Sequence, residues 1–456
     1  MLNECSIESF THESSIQTPS EGGYGDLHSH LSYNLYDAAI PPDRPIGRRS
    51  AFRASESISA EGSSMLFQPP LPPKYSRLTD EEMGLAIAER KLQLGKRLVI
   101  LGHHYQRDEV IQFADFTGDS LKLSQIGAAQ KDAEFIVFCG VHFMAESADI
   151  LSDEHVKVIL PDLSAGCSMA DMAEIDQLEE AWEFLVDACG EGVVPITYVN
   201  SAASIKAFCG QHGGACCTSS NASKVLSWAM ARGERVIFLP DQHLGRNTAY
   251  GMGIALEQMV VYDPKFPFGG LSREQARDAK VVLWKGHCSV HGLFNVGQCE
   301  AIRRTDPECK ILVHPECPWE VVQQADLAGS TEYIIRTVSE SPPGSRWAIG
   351  TEIHLVSRLA SEHPDKHVRS LAGIQCLCTT MYRIDLRHLL WTLDELVAGR
   401  VPNRIQVPSQ AKRGALVALE RMLQNVNQQP AGLKSGTQSC DWAENVLMQA
   451  EGPDNR

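Results

Sequence analysis

The sequence lacks any run of about 18 consecutive apolar residues, the length that a helix needs to cross a bilayer. Its first residues, MLNECSIESFTHESS, contain neither the basic and apolar regions of a signal peptide nor the Arg-rich composition of a transit peptide. A cytoplasmic location without membrane association is therefore expected. Positive charge is scarce, since 41 Lys and Arg residues face 57 Asp and Glu residues. This balance disfavours non-specific nucleic-acid binding, and no nucleic-acid partner is expected.

The cysteines lack the spacing of zinc fingers, zinc ribbons and ferredoxins. No CxxC pair is followed by a second CxxC or by HxxxH, and no CxxCxxC run occurs. The chain nevertheless has 14 cysteines, which is many for a protein of a reducing compartment. Taken singly, each cysteine is more often a small buried residue than a ligand. A metal site would have to be assembled from cysteines that are distant in the sequence, one from each domain.

The composition changes along the chain and indicates several domains. Residues 1–75 are rich in Ser, Glu, Gly and Pro, which predicts a disordered or loosely structured N-terminal extension. From there on, short apolar runs alternate with amphipathic stretches of about 10–15 residues, a pattern typical of parallel sheets with crossover helices. Two further helices are predicted over residues 385–397 and 409–425, before a polar tail at residues 426–456.

Three of the apolar runs look alike: VKVILPD, RVIFLPD and KILVHPE. Their prolines, Pro161, Pro240 and Pro315, lie 79 and 75 residues apart. These intervals are consistent with a domain repeated three times. A buried strand that is followed by proline and an acidic residue would look the same in an unrepeated chain, so both interpretations stay open.

Polar residues follow the apolar runs, at what would be the carboxyl edge of a parallel sheet, where ligands collect. His314 and Glu316 are two positions apart in an extended segment, so both could serve one bound molecule. Structural explanations remain: Ser120 is more often a plain helix cap, and the GST segment at residues 329–331 could be a surface turn. The candidates at these edges are His103, Tyr105, Ser120, Tyr198, Asn200, Ser219, His314, Glu316, Ser330 and Thr331.

The chain resembles the quinolinate synthase family in eleven motifs that occur in the family's order. The motifs are LGHHYQ (101–106), ADFTGDSLKL (114–123), FCGVHFMAESADIL (138–151), AGCSMADM (165–172), TYVN (197–200), TSSNA (218–222), FLPDQHLG (238–245), KGHCSVH (285–291), VHPEC (313–317), GST (329–331) and CTTM (378–381). The resemblance extends from about Thr79 to Asn425 and leaves both termini outside.

The resemblance implies an α/β fold of three similar three-layer α/β/α domains with parallel sheets around a pseudo-threefold axis. The implied domains are residues 76–168 plus 385–425, residues 169–287 and residues 288–384. The implied activity is the condensation of iminoaspartate with dihydroxyacetone phosphate into quinolinate, phosphate and water in NAD biosynthesis. An aspartate oxidase is the expected source of iminoaspartate.

The resemblance also implies a [4Fe-4S] cluster with three cysteine ligands and one open iron. Cys376 could compete with Cys378 for the cluster, but the family ligand precedes a methionine by three positions, and Met381 follows Cys378 at that distance. Cys139 lies in a matching segment and is not expected to be a ligand. The ligands matched by motif are Cys167, Cys288 and Cys378.

Roles for the remaining residues follow from the same resemblance. Tyr105 and Glu316 would transfer protons, while His103 and His314 would bind and polarise substrate oxygens, His314 as part of the catalytic set. Tyr198 and Asn200 would orient the carboxylates of the pyridine. Phosphate or carboxylate groups would be anchored by Ser120, Ser219, Ser330 and Thr331.

Two other functions share some of these residues. A non-catalytic iron or redox sensor would keep the three cysteines, but the chain also retains Tyr105, His314 and Glu316, which a sensor does not need. A zinc-dependent hydrolase could use the histidines, but it would leave the three cysteines without a purpose. The sequence therefore favours the enzyme.

Overall fold

The structure, a computed structural model, describes residues 68–373 and 376–427. Most of the predicted N-terminal extension, up to residue 67, and most of the predicted tail, from residue 428, lie outside the described residues. The described ranges form three β-sheets with helices packed around them. None of the helices within these ranges is both long and apolar enough to span a membrane.

The first sheet combines four parallel strands with one antiparallel edge strand from the C-terminal part of the chain. Its strands are β1 (Leu98–His103), β2 (Phe116–Gly118), β3 (Phe135–Cys139), β4 (Lys157–Ile159) and β14 (Arg404–Ile405), in the order β14-β4-β3-β1-β2. Every residue of β3 is buried, as expected for a parallel strand covered on both faces. The accompanying helices are α1 (Asp80–Leu94), α2 (Asp108–Ile111), α3 (Ser120–Ala129), α4 (His142–Leu151) and α14 (Leu386–Val397).

The second sheet is parallel throughout. Its strands are β5 (Val193–Tyr198), β6 (Ala215–Cys217), β7 (Arg235–Leu239), β8 (Met259–Tyr262) and β9 (Val281–Trp284), in the order β6-β5-β7-β9-β8. The accompanying helices are α5 (Ile175–Cys189), α6 (Ala203–Gln211), α7 (Ala222–Met230), α8 (Gln242–Gly251) and α9 (Arg273–Asp278).

The third sheet has four strands, all parallel. They are β10 (Lys310–Val313), β11 (Leu327–Ala328), β12 (Arg346–Gly350) and β13 (His367–Ser370), in the order β11-β10-β12-β13. The accompanying helices are α10 (Val296–Thr305), α11 (Trp319–Gln324), α12 (Thr331–Glu340) and α13 (Ile353–Glu362), and the last helix of the described chain is α15 (Ser409–Asn427).

Several helices begin where the local sequence supplies a cap. Thr79 and Glu82 form a capping box at α1, in which the Thr79 hydroxyl accepts from the Glu82 amide at 3.2 Å. Asn295 and Gln298 form another at α10. The carboxylate of Asp241 accepts from two backbone N–H groups at the start of α8. Local capping interactions therefore determine the residues at which these helices begin.

The three sheets share one topology: the first strand of each lies between the second and the third. This confirms the predicted class of three similar α/β units with parallel sheets. The three similar runs do not occupy equivalent places in these units, however. VKVILPD contains the fourth strand of its sheet, RVIFLPD the third and KILVHPE the first. Their likeness reflects what any buried strand before a proline looks like, whereas the equivalent first strands are β1, β5 and β10.

The two C-terminal helices pack against different sheets. Helix α14 packs on α1 of the first unit, whereas α15 packs on α6 and β6 of the second. Arg421 of α15 donates to the carbonyls of Gly214 at 2.6 Å and Gly210 at 3.2 Å. The domain boundaries implied by the resemblance, with residues 385–425 in the first domain, stay a prediction.

Replacing Gly210 with alanine is expected to lower the free energy of unfolding by about 1–3 kcal/mol through overpacking. A Cβ at Gly210 would lie 2.0 Å from the backbone oxygen of Gly414, so α15 would have to move away from α6. Gly84→Ala is the matched helical control, because its Cβ would meet only Phe113 at an ordinary 3.6 Å. Denaturant unfolding of both variants measures the effect, and equal stabilities would contradict it.

Candidate active site

A cavity of about 70 Å³ lies where the three units meet. The carboxyl ends of the first strands β1, β5 and β10 all reach it, which is the arrangement expected around a pseudo-threefold axis. Twelve of the thirteen residues singled out from the sequence line it: His103, Tyr105, Ser120, Cys167, Tyr198, Asn200, Ser219, Cys288, His314, Glu316, Thr331 and Cys378. Ser330 is the exception.

Both carboxylate oxygens of Glu316 have a hydrogen-bond partner in the cavity. The hydroxyl of Tyr198 donates to its Oε1 at 2.6 Å, and Nδ1 of His291 lies 2.8 Å from its Oε2. Burial raises the pKa of Glu316, but its electrostatic interactions with the His291 and His314 rings and these hydrogen bonds outweigh burial and bring it well below its usual 4.5. The carboxylate is therefore held ionised and oriented.

The pKa of Tyr105 is shifted in the opposite direction from that of Glu316. Its hydroxyl lies 2.8 Å from Oγ1 of Thr351 and 3.1 Å from Oγ1 of Thr331. Burial, followed by the charge of Glu316, raises the pKa of Tyr105 well above its usual value of 10. The cavity thus holds a neutral phenol and an ionised carboxylate, the pairing that acid and base chemistry at one site requires.

His103 and His314 are both almost completely buried. Burial lowers the pKa of each to about 3, so both imidazoles are neutral at physiological pH. The amide N–H of Tyr105 donates to Nδ1 of His103 at 3.1 Å, which leaves the proton of His103 on Nε2. Nε2 of His314 lies 3.3 Å from the hydroxyl of Ser219. Both rings can therefore act as neutral hydrogen-bond partners for a ligand.

The hydroxyl residues stand where the second strand of each unit turns into a helix. Ser120 does not cap α3, because Asp119 does: its Oδ1 accepts from the amide of Lys122 at 2.9 Å. The plain-cap interpretation of Ser120 is therefore wrong, and its hydroxyl is left facing the cavity.

The GST segment is not a surface turn, since Ser330 and Thr331 are 7% and 4% exposed. Ser330 caps α12 by accepting from the amide of Tyr333 at 3.3 Å, while Thr331 reaches the cavity. A helix start with its free N–H groups is a suitable place for an anionic group. Ser330 therefore stabilises the start of α12 and does not line the cavity itself.

The three cysteines matched by motif reach the cavity from three loops. Cys167 follows β4, Cys288 follows β9, and Cys378 follows β13, so each comes after a late strand of its own unit. Burial raises the pKa of all three thiols, that of Cys167 to about 12, and the charges of Cys167 and Cys378 add to the effect at Cys288. All three cysteines therefore line the same cavity in buried surroundings.

Cys139 and Cys376 are placed differently. Both are fully buried in apolar clusters, Cys139 in the core of the first sheet and Cys376 in that of the third. Neither lines the cavity. Of the two neighbouring cysteines Cys376 and Cys378, only Cys378 lines the cavity.

Sequence reasoning missed several groups around Glu316. His291 lies at the end of the KGHCSVH motif, and ligand atoms of Cys288, His291 and Glu316 lie within 4.8 Å of one another, as metal ligands could. Its position three residues after Cys288 was the available signal. Thr351, which contacts both Tyr105 and Nε2 of His291, carried no signal because it lies far from them in the sequence.

The buried oxygen atoms without a hydrogen-bond partner within residues 68–373 and 376–427 include Oδ1 of Asn200 and Oδ2 of Asp241. Asn200 lines the cavity, so its amide is available to a bound molecule. Burial raises the pKa of Asp241 well above its usual 3.8, and the charge of Glu316 adds to this. Unpaired polar atoms are rare in folded interiors and mark places where a ligand or water belongs.

Comparison with known proteins agrees with this geometry. Residues 86–424 match the family described as Quinolinate synthetase A protein. A quinolinate synthase of Anoxybacillus flavithermus is 59% identical over 356 residues, which cover 77% of this chain and 96% of that protein. The quinolinate synthase of Geobacillus thermodenitrificans is 58% identical over 353 residues, with the same coverage of both chains. A third, from a Nocardioides species, is 53% identical over 390 residues, 84% of this chain and 96% of that protein. The resemblance inferred from the motifs is confirmed, and the chain belongs to the quinolinate synthase family.

Proposed function

We propose that this chain condenses iminoaspartate with dihydroxyacetone phosphate to give quinolinate, phosphate and water, a transferase-type reaction of NAD biosynthesis. The observation that carries the proposal is one cavity in which an ionised Glu316, a neutral Tyr105, two neutral imidazoles and three thiols converge from three units. The reaction needs imine formation, isomerisation and dehydration, and each of these steps requires protons to be moved within a space closed to bulk water.

The three thiols fit a [4Fe-4S] cluster. Thiolates are the usual protein ligands of such clusters, and Cys167, Cys288 and Cys378 face the same cavity from separate loops. A cluster held by three cysteines supplies one iron with an open position, which acts as a Lewis acid on a substrate oxygen or nitrogen. We assign these three residues as its ligands.

Tyr105 and Glu316 are assigned to proton transfer. Glu316, ionised, removes protons from carbon or nitrogen, and Tyr105, neutral, donates a proton to a departing oxygen. The flanking hydroxyls of Thr351 and Thr331 accept from or donate to Tyr105 and keep its oxygen oriented. The opposed shifts of the two pKa values support this division of roles.

The other cavity residues bind and orient the substrates. His103 and His314, both neutral, hydrogen-bond carbonyl or hydroxyl oxygens. Tyr198 and Asn200 orient the carboxylates, Asn200 through the N–H groups of its amide, since both residues line the cavity. Phosphate or carboxylate groups are anchored at the helix starts by Ser120, Ser219 and Thr331. Ser330 supports this binding by capping the helix that begins at Thr331.

The proposed reaction also needs a source of iminoaspartate. Iminoaspartate is readily hydrolysed, so an enzyme that produces it by oxidising aspartate should work alongside this one. We place both in the cytoplasm, in functional coupling that needs no stable complex.

The test is an anaerobic assay of the cluster-loaded protein with dihydroxyacetone phosphate and freshly generated iminoaspartate. Quinolinate, identified by mass and ultraviolet absorbance, is the expected product. Glycerol 3-phosphate is the matched control substrate, because it retains the phosphate and lacks the ketone that must react with the imine. A protein that holds a cluster yet forms no quinolinate would contradict the proposal and favour the iron or redox sensor.

A further inference from the structure

Helix α8 begins within the FLPDQHLG motif. It contacts the backbone around the site, although none of its residues lines the cavity. Asn247, on α8 of the second unit, is 2% exposed. Its Nδ2 donates to the carbonyl oxygen of Pro315 at 2.8 Å and to that of Cys317 at 2.9 Å. These carbonyls belong to the residues immediately before and after Glu316. One amide from the second unit therefore holds the peptide group that precedes Glu316 and the peptide group that follows Cys317 in the third unit.

Tyr105 is held in the same way by the third unit. Nη1 of Arg358, on α13, donates to the carbonyl of His104 at 2.9 Å, and its Nη2 donates to the carbonyl of Gln106 at 2.7 Å. These are the residues on either side of Tyr105. Nε of Arg358 donates to Asp108 at 2.7 Å, which uses the remaining edge of the guanidinium and fixes its plane.

The two contacts occupy equivalent places in the repeat. Asn247 is the sixth residue of α8 and Arg358 the sixth residue of α13, and each helix follows the third strand of its own sheet. At the remaining interface, Glu146 is the fifth residue of α4 and accepts from the amide of Ala203, shortly after Asn200, at 3.1 Å. The same helix of each unit thus reaches the strand end of another unit.

We propose that Asn247 and Arg358 are positioning residues, which set the direction of Glu316 and Tyr105 by holding the backbone carbonyls of the residues before and after each across a unit interface. The two held peptide planes enclose a short segment, Glu316–Cys317 or Tyr105–Gln106, and restrain the Cα from which the reactive side chain projects, because peptide planes are rigid and only the φ and ψ angles of two residues lie between them. The proposal rests on the proposed function, since it assumes that Glu316 and Tyr105 transfer protons.

The two clamps also explain how separately packed sheets can form one precise site. The carboxylate of Glu316 and the hydroxyl of Tyr105 come from different units, so their separation depends on contacts between units. A misplacement of about 1 Å can cost a factor of about 100 in rate. The hydrogen bonds of Asn247 and Arg358 supply contacts of this kind at two of the three interfaces.

The test compares Asn247→Leu, Arg358→Met and Arg358→Lys with the parent, all loaded with cluster. Asn247→Leu and Arg358→Met are expected to lower kcat by about 10- to 100-fold, with a smaller change in KM for both substrates and unchanged iron content. Arg358→Lys should fall between the parent and Arg358→Met, because lysine keeps the charge and loses the two-pronged geometry.

Arg346→Met is the matched control. Arg346 also lies in the third unit and also forms a two-pronged contact, donating to Asp306 at 2.7 and 2.9 Å, but it is remote from the cavity lining. Its replacement should lower thermal stability and leave kcat unchanged. This control distinguishes a positioning effect from a general loss of stability.

The outcomes separate the two proposals. If Glu316→Gln and Tyr105→Phe are inactive while both clamp variants retain the parent kcat, the positioning role is wrong and the proposed function stands. If Glu316→Gln and Tyr105→Phe both remain active, the proton-transfer roles fail and the clamps lose their purpose with them. Should Asn247→Leu fail to fold, the two Arg358 variants decide the matter by themselves.

Discussion

Glu316→Gln is expected to reduce kcat by about 10²- to 10⁴-fold, the usual contribution of a positioned acid or base. Glutamine keeps the size of the side chain and can still accept the hydrogen bond from Tyr198, so the cavity should keep its shape. What it loses is the negative charge, together with the carboxylate oxygen that lies 2.8 Å from Nδ1 of His291. Steady-state assays under anaerobic conditions, normalised to cluster content, measure the effect.

Glu332→Gln is the matched control for this variant. Glu332 also bonds a histidine, with its Oε1 3.0 Å from Nε2 of His104, but it lies outside the cavity lining and is partly exposed. Its replacement should leave kcat unchanged. Comparable activity in Glu316→Gln and the parent would show that the carboxylate is not the base.

The lowered pKa of Glu316 also predicts a pH dependence. A base acts in its ionised form, and a pKa below the usual 4.5 keeps this carboxylate ionised at and above that pH. The rate profile of the parent should therefore show no acidic limb from this group above its usual pKa. An acidic limb near neutral pH that disappears in Glu316→Gln would mean that its pKa is raised instead.

Cys288→Ser is expected to abolish stable cluster binding, and with it quinolinate formation. Serine offers an alcohol in place of a thiolate, and the remaining cysteines, Cys167 and Cys378, provide only two of the three sulfur ligands. Iron and sulfide analysis, together with visible absorption, measure the loss directly and do not depend on activity. Cys139→Ser should keep the cluster, because Cys139 lies in the core of the first sheet.

A second matched pair lies in the third unit. Cys378→Ser should lose the cluster, whereas Cys376→Ser should keep it, since Cys376 is fully buried in the core of that unit and Cys378 lines the cavity. The reverse result would make Cys376 the ligand. If both variants keep a full complement of iron, the assignment of one ligand to each unit is wrong.

Local sequence predicted the regular elements well where they are long. The helix predicted over residues 385–397 is α14 (Leu386–Val397), since the Asp385 cap and the following amphipathic pattern are local signals. The strands that went unrecognised, such as β2 (Phe116–Gly118), β6 (Ala215–Cys217) and β11 (Leu327–Ala328), have two or three residues. A strand of that length carries too little hydrophobic pattern to be read, because its existence depends on the neighbour with which it pairs.

The residues that line the candidate site were predictable from the sequence, but the hydrogen bonds that hold them in place were not. His103 and Glu316 were found because polar residues directly after a buried strand of a parallel sheet stand at its ligand-binding edge. Asn247 and Arg358 were not found, because each acts on backbone carbonyls of a segment 68 or more residues away. Hydrogen bonds of this kind leave no pattern in the sequence around either partner.

The sequence by itself determined which chemistry the chain can carry: thiols, imidazoles, a carboxylate and a phenol, each at a strand end, and a motif order that identifies the family. Only the tertiary structure decided how these groups behave. It made Asp119 rather than Ser120 the cap of α3, and brought three distant cysteines to one cavity. It also moved the pKa values of Tyr105 and Glu316 in opposite directions. The physical reason is that burial and hydrogen bonding depend on distances in space, which are set by the packing of three units against one another.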